Sequence, residues 1–124
     1  MSKLIAKEYK CFEDIKNIRA DGSEFWYARE IALVLDYTKW ENFHKVIKRA
    51  MIACENSGHD VSLDFSEVRK IVSAGATSKP KLDYELTRYA CYLIVQNVDP
   101  RKEVIALGQT YFAIQTYRQE VADT

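Results

Sequence analysis

The most informative part of the chain runs from Thr87 to Thr116 and reads TRYACYLIVQNVDPRKEVIALGQTYFAIQT. It carries two helical patterns that meet at Asp99-Pro100. The side-chain hydroxyl of Thr87 is expected to cap the first helix, over residues 88–97. Asp99 is expected to cap the second helix, where Pro100 at the first helical position gives up no hydrogen bond. The spacing therefore predicts two packed helices with an aromatic and amide-rich surface.

Outward from this stretch, the N-terminal part of the chain has the pattern of a hairpin followed by two helices. The turn signal Asp21-Gly22 predicts a β-hairpin over about residues 11–27. Apolar residues at helical spacing predict a short helix over residues 28–36. The T-x-x-E pattern of Thr38 and Glu41 is typical of a capping box and predicts a longer helix over residues 39–55.

The segment between this longer helix and residues 87–116 is predicted to contain one more helix and a strand. Asp64 with Glu67 forms a second candidate capping box, which predicts a helix that ends near Gly75. A loop of small residues follows over 74–81, and alternating apolar residues predict a strand over 81–86. The whole order predicts an α+β domain in which a small antiparallel sheet or hairpin packs with about five helices around a helix-turn-helix-like core.

The composition is that of one globular domain, residues 1–124. Because 18 basic and 18 acidic residues cancel, no global field attracts nucleic acid, and any DNA binding depends on a local basic patch. No stretch has the character of a signal peptide or a membrane span, so we expect a cytoplasmic protein with no membrane contact. Cys54 and Cys91 lie in apolar helical stripes and are predicted to be buried hydrophobes in a reducing compartment.

Such a patch is predicted on the helix over residues 39–55. From Thr38 to Arg49 the chain has four basic residues and one acidic residue, a net charge of +3. On a helical wheel the cations fall roughly opposite the apolar stripe, where they could neutralise phosphates while Asn42 or Thr38 reaches base edges. An ordinary solvated helix face remains the alternative. The predicted DNA contacts are Thr38, Lys39, Asn42, Lys45, Lys48 and Arg49, with Lys79 and Lys81 gripping the DNA backbone from the tip of the predicted loop.

A second surface is predicted on the last helix, whose apolar residues cover about half of the helical wheel. One core requires a narrower stripe, which indicates a second buried face. That face could contact a protein partner, a second copy in a homodimer, or the rest of a longer chain. An equal alternative is that the helix is buried on both faces within its own domain. The candidate interface residues are Leu107, Tyr111, Ile114 and Tyr117.

The sequence does not favour an enzyme. Neither His44 nor His59 stands in a pattern with Cys, Ser or an acid that marks nucleophilic catalysis. No glycine-rich phosphate loop is present. Asp83 and Glu85 would share one face of a strand, but no lysine follows at the spacing of a metal nuclease, so we interpret them as an exposed strand edge. Arg88 is expected to pair with one of them. We predict no catalytic residue, metal, cofactor or small-molecule substrate.

Several literal strings are too particular for generic packing: FEDIK at residues 12–16, ACENSGH at 53–59, RYACYL at 88–93 and GQTYFAIQT at 108–116. They resemble the N-terminal domain of the DNA-damage-inducible protein D family, which is related to the Bro-N domains of phage and viral antirepressor-like proteins. The resemblance covers nearly the whole chain from Phe12. It implies a Bro-N-like fold, and the domain is expected to be the N-terminal part of a longer chain.

The resemblance and the basic face together predict a DNA-binding or DNA-associated regulatory domain. It would act on single- or double-stranded DNA in a bacterial DNA-damage (SOS) response or in phage or mobile-element regulation. The alternative is a protein-protein interaction module that docks a repair, recombination or repressor protein through the aromatic-rich C-terminal helix. The balanced net charge favours this alternative.

Overall fold

The computed structural model describes residues 12–74, 77–98, 109–114 and 116. Within these residues, strands and helices follow one another as β1 (Asn17–Ile18), β2 (Glu24–Tyr27), α1 (Ala28–Val34), α2 (Trp40–Asn56), α3 (Val61–Asp64), β3 (Phe65–Ala74), β4 (Thr77–Leu86) and α4 (Arg88–Gln96). Residues 12–14 and 109–114 are also helical. The predicted α+β class is confirmed.

The four strands form one antiparallel sheet in the order β1-β2-β4-β3. β2 pairs with β4 only at its base, where Trp26 lies opposite Leu86 and Tyr27 opposite Glu85. β3 and β4 continue as a two-stranded ladder as far as the pair Ala74–Thr77. We call residues 69–74 and 77–82 the outer ribbon, because no other strand in the described residues pairs with them.

The core lies between the base of the sheet and the helices. The Trp26 ring is fully buried, donates a hydrogen bond from Nε1 to the Phe12 carbonyl at 3.0 Å, and meets the Phe112 ring edge-on at 5.2 Å. Residues 12–14 and 109–114 therefore close over one side of the sheet. Cys54 and Cys91 are free and buried, as predicted. None of the helices in the described part of the chain is long and apolar enough to cross a membrane.

Most predicted elements agree with the structure to within a few residues. The hairpin is formed by β1 and β2, and the two helices over 28–36 and 39–55 are α1 and α2. Thr87 caps α4, since its Oγ1 accepts a hydrogen bond from the backbone N–H of Ala90 at 3.2 Å. The predicted joint at Asp99-Pro100 lies outside the described residues.

The helix predicted to begin at Asp64 is wrong, because that segment is strand β3. The Asp64 carboxylate accepts a hydrogen bond from the Thr87 hydroxyl at 2.6 Å instead of capping a helix that begins there. The capping carboxylate of this region belongs to Asp60, which accepts from the backbone N–H of Ser62 at 2.9 Å and starts α3. Ten residue pairs with β4 then satisfy the β3 backbone and outweigh the helical spacing of its apolar residues.

Two further local expectations are corrected. The loop predicted over 74–81 is largely strand, since residues 77–81 belong to β4. The capping box of Thr38 and Glu41 does not form: Lys39 occupies the N-cap position of α2 and makes no side-chain cap hydrogen bond. α1 ends at Val34, and the chain turns at Asp36, whose φ of 64° lies in the left-handed region that aspartate adopts more readily than most residues.

Candidate nucleic-acid interface

α2 separates an apolar side from a cationic side. Its buried residues face the core and are Phe43, Val46, Ile47, Ala50 and Cys54. Residues three, four and seven apart share one face of a helix. The exposed face therefore brings together Asn42, Lys45, Lys48 and Arg49, and the exposed residues Thr38 and Lys39 lead into it. We call these six residues the α2 face.

The cations of the α2 face are not neutralised by neighbouring acids. In the described residues, the ion pairs involve other side chains, and Lys39, Lys45, Lys48 and Arg49 take part in none of them. The exposed Glu41 lies beside the face, as expected. With Glu41 counted, residues 38–49 keep a net charge of +3, and the four cations can neutralise phosphates and release their counterions.

A stack of one guanidinium group and two aromatic rings holds the start of α2 in place. The Arg29 guanidinium lies 4.2 Å over the Trp40 ring, and Trp40 stacks on His44 at 5.5 Å and 12°. His44 Nε2 is 2.9 Å from the Tyr84 hydroxyl on β4. Burial, and next the positive charge of Lys48, lower the pKa of His44 from the ordinary value of 6.5. The imidazole is therefore neutral at pH 7, and the stack connects α1, α2 and β4.

Asp83 is a buried carboxylate at the base of the ribbon, so its interpretation as part of an exposed strand edge is wrong. Its Oδ1 accepts hydrogen bonds from the backbone N–H groups of Arg29 at 3.0 Å and Tyr84 at 2.8 Å. Lys70 Nζ lies 3.5 Å from Oδ2 and 3.1 Å above the Tyr27 ring centroid. A carboxylate enclosed by these donors holds the base of β3 and β4 against α1.

Lys79 and Lys81 are exposed, but they are strand residues rather than loop-tip residues. Lys81 lies opposite Lys70, and Lys79 opposite Val72. Paired residues of antiparallel strands project to the same side, so these lysines share the side of Asp83 and Tyr27. α2 contacts the other side, through Tyr84. The structure therefore does not bring Lys79 and Lys81 onto the α2 face.

Two basic residues of the outer ribbon were missed by the sequence interpretation. Arg69 is exposed and Lys70 half-buried, both on β3. They were assigned to a helix, so their cross-strand relationship to Lys79 and Lys81 could not be derived. The signal that could have revealed them is the set of β-branched residues Val68, Ile71 and Val72, which precede a predicted strand over residues 81–86.

The candidate partner surface is described only in part, since Leu107 and Tyr117 lie outside the described residues. Tyr111 is 2% exposed, stacks on Phe12 at 5.3 Å and donates a hydrogen bond from its hydroxyl to Glu13. Its side chain therefore faces the domain core. Ile114 is 41% exposed and remains available to a partner.

The titratable groups outside the α2 face have structural contacts. Arg88 pairs with Glu24 at 3.4 Å, so the expected pairing with Asp83 or Glu85 is wrong. His59 stacks on Tyr89 at 4.3 Å. Burial, followed by the charge of Asp64, raises the pKa of the Cys54 thiol to about 11, and burial raises that of Cys91. Both cysteines are therefore protonated at pH 7 and are poor nucleophiles. No cluster of metal-ligating side chains occurs among the described residues.

Comparison with known proteins extends over most of the chain. The family model described as the BRO family, N-terminal domain, matches residues 14–113. The chain is 52% identical over 118 residues to the DNA damage-inducible protein D of Escherichia coli (strain K12), an alignment that covers 94% of this chain and 43% of that protein. The chain thus spans less than half the length of this relative. No solved structure matches. From the family match and this identity, the chain belongs to the BRO family as an example of its N-terminal domain.

Proposed function

We propose that this domain is a DNA-binding regulatory module that contacts DNA through the α2 face, in the cytoplasm and in response to DNA damage or to mobile elements. The observation that carries the proposal is that the four cations of the α2 face are exposed and form no ion pair among the described residues, in a chain whose net charge is zero. The name of the Escherichia coli relative, which refers to induction by DNA damage, supports the regulatory context.

The α2 face suits phosphate binding for a physical reason. Lysine and arginine on a regular helix are spaced to follow a sugar-phosphate backbone, and each contact adds to a salt-dependent affinity. Asn42 and Thr38 lie at the N-terminal end of the same surface, where a neutral amide and hydroxyl can reach base edges. The stack of Arg29, Trp40 and His44 keeps α2 fixed, so little ordering is required on binding.

The test is fluorescence anisotropy of labelled DNA with the full chain. Lys45→Gln together with Lys48→Gln should weaken binding by about tenfold. The slope of log affinity against log salt concentration should become shallower by about 0.9 for each of the two phosphate contacts that are lost. A control with the same change in net charge is Ile18→Glu together with Leu63→Glu, which alters two exposed apolar residues on β1 and α3, outside the α2 face. The control should bind as the unmodified protein does.

Equal binding by the α2 variant and the unmodified protein would refute the site. Equal weakening by both variants would show that binding follows net charge rather than the α2 face. Circular dichroism and urea unfolding check that each variant is folded, since all four substituted side chains are exposed.

A second candidate function is the docking of a protein partner through the last helix. The exposed side chain of Ile114 beside the buried Tyr111 and the balanced net charge favour it. Apolar docking should be nearly indifferent to salt, whereas phosphate binding should weaken steeply. Ile114→Asp should abolish partner binding and leave DNA binding unchanged.

A further inference from the structure

We propose that the outer ribbon, residues 69–74 and 77–82, inserts into the major groove of duplex DNA as a second element beside α2. This inference rests on the proposed function, because it assumes that the domain binds DNA. It goes further in assigning a new surface, a role to Arg69 and Ile71, and a preference for duplex over single-stranded DNA.

The first observation is the distribution of charge along β3 and β4. Between Arg69 and Leu82 the chain has four cations and no carboxylate. The acids of the two strands are Glu67, Asp83 and Glu85, all toward the base. Asp83 is buried and lies 3.5 Å from Lys70, and Glu85 pairs with Arg19 at 2.7 Å. The exposed Glu67 pairs with the exposed Arg69 at 3.4 Å. Lys79 and Lys81 form no ion pair among the described residues, so the outer ribbon is locally positive although the chain as a whole is neutral.

The second observation is that the cations occupy both sides of the ribbon. The register sets Lys70 opposite Lys81 on the side of Asp83, with Lys79 two residues along. Arg69 lies opposite Leu82 and projects to the other side, together with Ile71. A strand pair that rested flat on a phosphate backbone would need cations on one side only. The pair of Arg69 with Glu67 is exposed and therefore weak, so Arg69 can exchange the carboxylate for a phosphate. Cations on both sides then fit an element with a phosphate wall on each flank, which is the environment inside a groove.

The third observation is size. From the pair Arg69–Leu82 to the pair Ala74–Thr77 the ladder advances five residues, or about 17 Å at the usual rise of a strand. The major groove is about 12 Å wide and about 8.5 Å deep and admits a two-stranded ribbon, whereas the minor groove is about 6 Å wide. The ribbon therefore reaches the floor of the major groove while its base stays on the domain.

The fourth observation is the apolar pair on the same ribbon. Ile71 is 76% exposed and lies opposite the exposed Pro80. An exposed isoleucine among cations has no core to join, but it can contact the methyl group of thymine on the floor of the major groove. Proline in a strand requires an open edge, and β4 has one here among the described residues, because β2 pairs with β4 only at residues 85 and 86.

Another explanation of the same residues has different consequences. Lysine and proline on open edges also prevent a ribbon from pairing with a second copy. If that were their whole role, Lys79→Gln together with Lys81→Gln would promote self-association and leave DNA affinity unchanged. If the ribbon enters a groove, the same variant should lose about tenfold in affinity for duplex DNA, since two phosphate contacts are removed.

The experiment combines these variants with crosslinking. Photoreactive p-benzoylphenylalanine replaces Ile71, and the control carries it at Ile18, an isoleucine of similar exposure on β1. Each protein is irradiated with an unmodified duplex, with single-stranded DNA, and with a duplex in which glucosylated 5-hydroxymethylcytosine fills the major groove. The expected result is a crosslink from position 71 to the unmodified duplex, its loss on the glucosylated duplex, and none from position 18. Anisotropy should show tighter binding to duplex than to single strand.

Each other outcome overturns the inference in a recognisable way. Suppose that the unmodified protein and the control variant Ile18→Glu with Leu63→Glu both bind DNA. If position 71 then does not crosslink, or if Lys79→Gln with Lys81→Gln leaves the affinity for DNA unchanged, the ribbon has no role in binding and the proposal for the α2 face stands. A crosslink that persists on the glucosylated duplex excludes the major groove. If the unmodified protein binds no DNA, the proposed function and this inference fail together.

Discussion

The Asp83 carboxylate, on β4, accepts a hydrogen bond at 3.0 Å from the backbone N–H of Arg29, in the first turn of α1. Helix N-termini leave N–H groups without partners, and a nearby side chain usually satisfies one of them. Tyr27 stands at the N-cap of α1 and makes no such bond. The carboxylate that replaces it comes from 54 residues further along the chain, so the start of α1 depends on the sheet.

Removal of this carboxylate should destabilise the domain. Asp83→Ala leaves the Arg29 and Tyr84 N–H groups without their charged acceptor, and we expect the free energy of unfolding to fall by about 2–3 kcal/mol. Glu85→Ala is the matched control on the same side of the same strand. Its pair with Arg19 is partly exposed, so its loss should cost no more than about 1 kcal/mol. Urea unfolding followed by circular dichroism measures both, and equal losses would contradict the capping role.

The two threonines that precede helices should differ in the same kind of experiment. Thr87→Ala removes the cap of α4 and the hydroxyl that donates to Asp64, and should cost about 1–2 kcal/mol. Thr38→Ala should cost almost nothing, since Thr38 caps no helix in this structure. A comparable loss of stability in Thr38→Ala would show that its capping box forms in solution.

These two threonines also show how far local patterns determine this fold. Both stand at the start of a helix, but only Thr87 has the position that its hydroxyl needs. α2 begins at Trp40, whose ring lies between Arg29 and His44. That arrangement depends on contacts between separate elements, which no local pattern encodes. The extents of α1, α2 and α4 were predictable because each buries an apolar stripe with the helical period.

The candidate site was predictable only where it lies on one element. The α2 face follows from helical spacing, and the structure agrees on the exposure of all six residues. The ribbon requires the register of β3 with β4, which sets Lys70 opposite Lys81. Since pairing with β4 overrides the local signal at Asp64, this register could not be read from β3 alone.

Stability should depend on pH through His44. The folded domain holds the pKa of His44 below the ordinary value of 6.5, so the unfolded chain takes up this proton first as the pH falls. The contribution of His44 is therefore fully present above 6.5 and is lost as the pH falls through the folded-state pKa. Urea unfolding of the unmodified protein and of His44→Gln should be measured at a pH above 6.5 and at a pH below the folded-state pKa. The difference between their free energies of unfolding should shrink at the lower pH. A difference that grows at low pH would contradict the direction of the shift.

Asn42 and Lys48 should separate recognition of sequence from attraction to phosphate. Both are exposed on the α2 face and lie less than two helical turns apart. Lys48→Gln removes a charge, so it should weaken binding to every DNA sequence alike and lower the salt slope by about 0.9. Asn42→Ala removes no charge, so it should leave the slope unchanged and reduce discrimination among sequences, with a loss of about 1–3 kcal/mol at the preferred base. Selection of binding sites from a randomised duplex library, followed by salt titration on the selected and on an unrelated duplex, measures both effects. A change of slope in Asn42→Ala, or a sequence-dependent loss in Lys48→Gln, would contradict this division of roles.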